Sequence, residues 1–183
     1  MQASGMARLP VNVVVIMGVS SSGKTTTANQ LSESLGWPFR DADSFHPPAN
    51  VEKMSRGEPL NDSDRAPWLA AIAAWIQTQI AIGETGIVTC SALKRAYRDI
   101  LMAGRPGARL VHLVGDRTLI SERMAHRKNH FMPISLLDSQ FAALEPPTPE
   151  ENVLSVPVSM SPASVAESII AELGLEPARS RRV

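Results

Sequence analysis

A short apolar run, Val13-Val14-Val15-Ile16-Met17, stops abruptly at Gly18-Val19-Ser20-Ser21-Ser22-Gly23-Lys24-Thr25. The pattern G-x-x-x-x-G-K-T asks for one local architecture. A buried strand delivers the chain to a tight loop, glycines let the backbone wrap an anion, and a helix begins at the loop's end. The unpaired N–H groups and dipole of that helix favour phosphate. Lys24 can reach the outer phosphates, and the Thr25 hydroxyl can bind Mg2+. Gly18, Val19, Ser20, Ser21, Ser22, Gly23, Lys24, Thr25 and Thr26 are therefore the candidate nucleotide-binding residues. A chance match in a Gly/Ser-rich loop is the bland alternative. Strand, full motif and following helix nevertheless occur in the required order, so the chain is expected to bind a nucleoside triphosphate.

A length of 183 residues suits one compact domain and leaves little room for a second. The expected layout is a flexible N-terminus over 1–10, a single domain over 11–175 and a basic, flexible tail over 176–183. Lys plus Arg equals Asp plus Glu at 18 each, so no overall field argues for nucleic acid or an anionic membrane surface. The lone Cys90 reads as a small buried residue. No signal-peptide pattern opens the chain, and the apolar run at Val11 is too short to span a bilayer. Cytoplasm is the expected location.

After the loop, Thr25 to Leu35 reads as a helix with Ala28, Leu31 and Leu35 inward, closed by Gly36. A second strand, Trp37 to Arg40, leads into Asp41-Ala42-Asp43 and on to His46-Pro47. Acids alternating at a strand end project to opposite sides near the carboxyl edge of a parallel sheet, where ligands bind. One can face Mg2+ and the other a substrate; ordinary turn chemistry is the competing explanation. A helix over Asn50 to Gly57 should turn Val51 and Met54 inward. Ser63 or Asp64 should cap a long helix through Pro67, Trp68, Leu69, Ile72, Trp75, Ile76 and Ile80. Trp68 and Trp75 share one face and read as packing residues.

The third strand, Ile87 to Cys90, enters Ser91-Ala92-Leu93-Lys94 and a helix carrying Tyr97 and Arg98. No acid ends this strand, so metal ligation falls to Thr25 and the acidic turn after the second strand. Lys94 and Arg98, at i and i+4, suit a carboxylate or phosphate, although such pairs are commonly solvated surface. Arg109 to Val114 forms a fourth strand, and Asp116 reads as a helix cap rather than a metal ligand. Arg123 and Arg127 precede the helix-breaking stretch Lys128 to Pro133, which predicts a lid over about 123–138 that closes on the triphosphate. A basic surface helix and loop is the alternative. Helices over Ile134 to Leu144 and Pro162 to Leu173, the latter capped by Ser161, flank a fifth strand over Val153 to Val158. This order of elements argues for the α/β class, a parallel sheet covered on both faces.

Together several segments resemble one family, the gluconate kinases of the P-loop small-molecule kinases. They are the loop itself, Asp41-Ala42-Asp43-Ser44-Phe45-His46-Pro47, Asn50-Val51-Glu52-Lys53-Met54, Gly57-Glu58-Pro59-Leu60-Asn61-Asp62 and Asp64-Arg65 with Pro67-Trp68-Leu69. Cys90-Ser91-Ala92-Leu93-Lys94, Tyr97-Arg98-Asp99, Arg123 to Phe131, Ser139-Gln140-Phe141 and Leu144-Glu145-Pro146-Pro147 complete the match over residues 13–173. Departures are Ala42 where glycine is frequent, Asn129 in place of a glycine before His130-Phe131, and the basic tail.

The resemblance implies a nucleoside-monophosphate-kinase-like fold: a P-loop NTPase with a five-stranded parallel sheet of order 2-3-1-4-5, helices on both faces and a lid. It implies Mg2+- and ATP-dependent phosphorylation of D-gluconate at the 6-hydroxyl, and a homodimer. On that basis Lys24 stabilises the migrating group, Thr25 and, through water, Asp41 hold Mg2+, and Asp43 orients the 6-hydroxyl and accepts its proton. Arg127, with Arg123, closes on the nucleotide. Lys53, Arg56, Lys94 and Arg98 are candidates for the substrate carboxylate; His46, Ser91 and Gln140 for its hydroxyls; and His130 joins the substrate-binding set. The rivals are a shikimate-type or nucleotide kinase, a P-loop switch and a nucleic-acid kinase. Few aromatics count against a nucleotide acceptor, the missing N-K-x-D motif against a GTPase switch, and balanced charge against a nucleic-acid kinase.

Overall fold

The structure, a computed structural model, describes residues 10–126 and 134–178. Five strands, β1 (Val13–Met17), β2 (Phe39–Asp41), β3 (Gly86–Thr89), β4 (Ala108–Val114) and β5 (Leu154–Pro157), form one sheet of order β2-β3-β1-β4-β5. Every neighbouring pair is parallel. Among the described residues seven α-helices accompany them: α1 (Lys24–Leu35), α2 (Pro48–Ser55), α3 (Asp62–Ala81), α4 (Arg95–Met102), α5 (Arg117–Ala125), α6 (Ile134–Ala143) and, after β5, α7 (Pro162–Leu173). The chain leaves β1 for the β2 edge, returns to β3, and then crosses to β4 on the other side of β1. That reversal of direction opens a crevice at the carboxyl end of β1, where open parallel sheets take their ligands.

The unbroken apolar character of β1 follows from burial on both faces. Val14 and Ile16 pack in one core with Leu31 of α1, Val111 and Ile169 of α7. Val13, Val15 and Met17 point the opposite way, onto Leu69, Ile72 and Ile76 of α3. Cys90 lies just past β3, 2 % exposed, and burial pushes its thiol up to about 12. Little thiolate forms at pH 8, so iodoacetamide should leave the folded chain unalkylated and react only after denaturation. Rapid labelling of the native protein would contradict this burial.

Several local expectations change. The cap of α3 is Asn61 rather than Ser63 or Asp64: Asn61 accepts from Asp64 N–H at 2.9 Å while the Asp64 carboxylate accepts from Asn61 N–H at 2.8 Å, a reciprocal capping box. On α2, Val51 and Met54 face outward, at 52 % and 41 % exposed, and Asn50 is the buried residue. This helix is tethered by polar contacts instead of an apolar stripe: Asn50 Nδ2 donates to Asp64 O at 2.7 Å, and Lys53 Nζ to the Asp64 carboxylate at 2.6 Å. Asp116 and Ser161 cap α5 and α7 as expected, and Gly36 closes α1 in the left-handed conformation. The folded body reaches further than residue 175, because Trp37 Nε1 donates to Glu176 O and Ala178 N–H to Leu35 O.

Candidate active site

Gly18 enters the loop after β1 at φ 150°, and a Cβ there would lie 2.7 Å from Ser22 Oγ and 3.1 Å from Leu113 O. Both conformation and space therefore call for glycine. Helix α1 starts with Gly23 as its N-cap, so no side chain satisfies its first N–H groups. Those donors face the crevice as an anion site needs. Lys24 Nζ folds back on the loop, donating to Gly18 O at 3.0 Å and Val19 O at 2.9 Å. Thr25 and Thr26 are exposed beside it.

Next to the loop lies a cavity of about 360 Å³. Ser21, Thr26 and Arg123 form its polar side, and Val158, Met160 and Pro162 its apolar wall. Arg123 donates to Val158 O and so joins α5 to the segment after β5. The apolar wall went unnoticed in the sequence because its residues follow the motif by more than 130 positions and carry no pattern of their own. Arg127 and His130, with the middle of the expected lid, fall outside the described residues.

On the other side of the loop, β2 ends at Asp41 and a 3₁₀ turn, Ala42–Phe45, follows. Asp41 Oδ1 accepts from Asp43 N–H at 2.9 Å, so this acid does the turn chemistry and retains its second oxygen. Asp43 projects outward, its side chain 89 % exposed, with Oδ1 3.9 Å from His46 Nε2. The His46 ring is buried against Trp68, stacked at 4.5 Å, and Trp68 Nε1 donates to Ala42 O at 2.7 Å. Trp68 is thus both core residue and platform. Burial lowers the pKa of His46, Asp43 opposes that shift, and the charge of Arg65 adds to it.

The four candidate cations separate clearly. Arg98 is 1 % exposed; Nε and Nη2 meet the Glu151 carboxylate at 2.5 and 3.0 Å, while Nη1 donates to Ala92 O and Leu93 O. It is a core cation and not the substrate ligand that its spacing from Lys94 suggests: a ligand would have to break a buried, hydrogen-bonded pair. Arg56 lies at the outer end of α2, engaged by Glu52 and Glu58 at 2.9 Å each. Lys53 is committed to Asp64, as described. Lys94 remains at the rim, 36 % exposed, with Nζ 2.9 and 3.0 Å from the Asp62 oxygens. The same carboxylate accepts from Tyr97 Oη and lies 3.8 Å from Arg65 Nη1. Hydrogen bonds from Tyr97 and then Lys94 hold Asp62 below the usual carboxylate range.

Arg65 and Tyr97 were not among the sequence candidates. Arg65 sits one turn after Asp62 on α3, and that i, i+3 spacing was the signal that could have found it. Ser91 O accepts from Gly18 N–H at 3.3 Å, linking the end of β3 to the loop. Gln140 Oε1 accepts from Ser20 N–H at 2.5 Å, so α6 also touches the loop.

A parallel 2-3-1-4-5 sheet carrying a P-loop on its central strand, with a slot on one side and an exposed carboxylate on the other, defines a P-loop phosphotransferase. A family model described as an AAA domain matches residues 13–147. The gluconokinase of Gluconobacter oxydans is 47 % identical over 157 residues, covering 86 % of this chain and 88 % of that protein. Two solved structures are similar: a sugar kinase from a Janibacter species, at 44 % identity and TM-score 0.83, and a gluconokinase from Sinorhizobium meliloti, at 43 % and 0.78. The first covers 92 % of this chain and 98 % of its own, the second 91 % and 93 %. This chain belongs to the gluconokinase family.

Proposed function

We infer that this chain transfers the terminal phosphoryl group of ATP to the 6-hydroxyl of D-gluconate, giving 6-phosphogluconate and ADP. The observation that supports it best is the placement of an exposed carboxylate, Asp43, on the acceptor side of the loop. The 6-oxygen attacks the terminal phosphorus, the bond from that phosphorus to the bridging oxygen breaks, and ADP leaves with the electron pair. The 6-hydroxyl proton passes to Asp43. Loop N–H groups from Gly23 to Thr26 hold the phosphates, Lys24 turns from the loop carbonyls to the migrating group, and Arg123 borders the nucleotide slot. Such a reaction asks mainly for alignment and charge neutralisation.

The donor set fits Mg2+. Thr25 offers a hydroxyl, Asp41 keeps one oxygen uncommitted, and no cluster of three His, Cys, Asp or Glu side chains occurs among the described residues. Hard oxygen donors that leave room for water and phosphate suit this ion. When bound it neutralises charge on the phosphate oxygens; Thr25 and, through water, Asp41 would hold it. The gluconate carboxylate belongs with Lys94 and Arg65, the accessible cations beside Tyr97, and its hydroxyls with His46 and Ser91. Arg127 belongs with the closing lid, from the cations that lead into Lys128 to Pro133, and His130 with the substrate, from the family resemblance; both lie outside the described residues. Among the described residues no helix is long and apolar enough to cross a membrane. A cytoplasmic homodimer is part of this proposal.

The test measures ADP release with Mg-ATP, alone and with gluconate, glucose, shikimate or a nucleoside monophosphate, and identifies the product by mass. Stimulation by gluconate alone, with 6-phosphogluconate formed, is expected. Phosphorylation of another acceptor in its place would overturn the assignment while leaving the phosphotransferase class intact.

A further inference from the structure

Lys24 and Gln140 grip the two ends of one peptide bond. Lys24 Nζ donates to Val19 O at 2.9 Å, and Gln140 Oε1, reaching from α6, accepts from Ser20 N–H at 2.5 Å. The C=O and N–H of a trans peptide point in opposite directions, so these contacts clamp the Val19–Ser20 plane from both sides. A backbone N–H can only donate, which means that the side-chain atom facing it is the amide oxygen and the orientation of the Gln140 carboxamide is fixed. The Nε2 group, with two donors, shares its carbon with the Oε1 bound to Ser20 N–H, and no hydrogen bond from it is formed among the described residues. P-loop amides wrap the phosphates of the bound nucleotide, so a donor held beside Ser20 stands at the rim of that cradle.

We propose that Gln140 serves both partners of this clamp: its Oε1 holds the Val19–Ser20 peptide when Lys24 turns to the nucleotide, and its Nε2 donates to the terminal phosphoryl group of ATP. This role rests on the phosphotransferase function above and deepens it. ADP lacks the terminal group, so the two halves of the role can be separated by ligand. Gln140→Glu keeps an oxygen for Ser20 N–H but replaces the donor with an anion. Gln140→Met keeps the length and removes both bonds.

Affinities for ADP and for the non-hydrolysable AMP-PNP are measured by calorimetry on the full chain with Mg2+, with thermal melting as a check of folding. In Gln140→Glu, ADP affinity should stay within about twofold, whereas AMP-PNP affinity and kcat fall by about ten- to a hundredfold, the range of a lost hydrogen bond to a charged group. In Gln140→Met, ADP should weaken by about two- to tenfold and AMP-PNP by more. Equal losses for both nucleotides in Gln140→Glu would reduce Gln140 to a purely structural tether and overturn the proposal. So would unchanged affinities for both, or tighter binding in Gln140→Met, which would make the side chain a plug in the phosphate site. Nucleotide binding needs no acceptor. A wild-type chain that fails to phosphorylate gluconate but shows the ADP/AMP-PNP split loses the acceptor assignment and keeps the role of Gln140.

Discussion

Asp43→Asn should lower kcat by about two to four orders of magnitude, the usual contribution of a positioned general base, while ATP affinity stays within about twofold. The argument is geometric. Asp43 projects from the 3₁₀ turn after β2 with its side chain 89 % exposed, so the carboxylate is available to an acceptor and carries no packing duty. Asparagine keeps the size and one acceptor oxygen and loses the charge and proton affinity. The backbone N–H of residue 43 still donates to Asp41, so the turn should survive. Asp43 also props up the pKa of His46, which burial lowers; in the variant an NMR titration of His46 should therefore move further down. A loss of ATP binding as large as the loss of kcat would show that Asp43 belongs to the nucleotide side and remove it from the acceptor role.

The second large effect is on stability. Glu151→Ala should destabilise the fold by about 3–5 kcal/mol, the usual penalty for leaving a buried charge without its partner. Against a total stability of about 5–15 kcal/mol for an ordinary domain, that is severe. The Glu151 and Arg98 side chains are 5 % and 2 % exposed, and Glu151 also caps its own turn by accepting from Thr148 N–H at 2.9 Å. The consequence reaches the site because Arg98 Nη1 holds the carbonyls of Ala92 and Leu93, in the segment between Ser91 and Lys94. Arg98→Met combined with Glu151→Met should recover much of the loss, since an apolar pair of similar volume avoids the stranded charge. Denaturant melts of the single and double variants measure this. If Arg98 were instead a substrate ligand, its substitution would raise the KM for gluconate and leave the melts unchanged.

The same pair gives a pH dependence. The Arg98 hydrogen bonds hold the Glu151 carboxyl below its ordinary value of 4.5. A carboxyl whose folded pKa is depressed stabilises the fold fully above the unfolded value and progressively less as pH falls through the folded one. Its contribution should therefore be complete at neutral pH and drain away in the acid range below 4.5. In Glu151→Gln that part of the acid loss should be missing.

The limits of the sequence show most clearly at Lys94 and Arg98. Four residues apart, they looked like one cationic face. The fold uses Lys94 as the N-cap residue of α4 and sends Arg98 into the core, because a partner 53 positions later, Glu151, packs against that helix. Spacing within a helix gives direction only relative to the helix axis; which side is solvent depends on what packs there. The same reason inverts α2, where the period of Val51 and Met54 predicts an inward face and both are exposed. Asn50 and Lys53 instead tie the helix to the start of α3.

What the sequence determined by itself was most of what short-range rules govern, the cap of α3 at Asn61 being an exception. The P-loop needs its glycine, its strand and its helix in fixed order, a sheet buried on both faces needs continuous apolar strands, and Asp116 and Ser161 cap their own helices within three residues. The tertiary structure alone decided which side chains meet across long separations: Arg123 with the wall after β5, Asp62 with Tyr97 and Lys94, Arg98 with Glu151, and Gln140 with Ser20. Those contacts depend on the relative placement of helices around the sheet, which is set by the packing of both cores, and packing has no local signature in the chain.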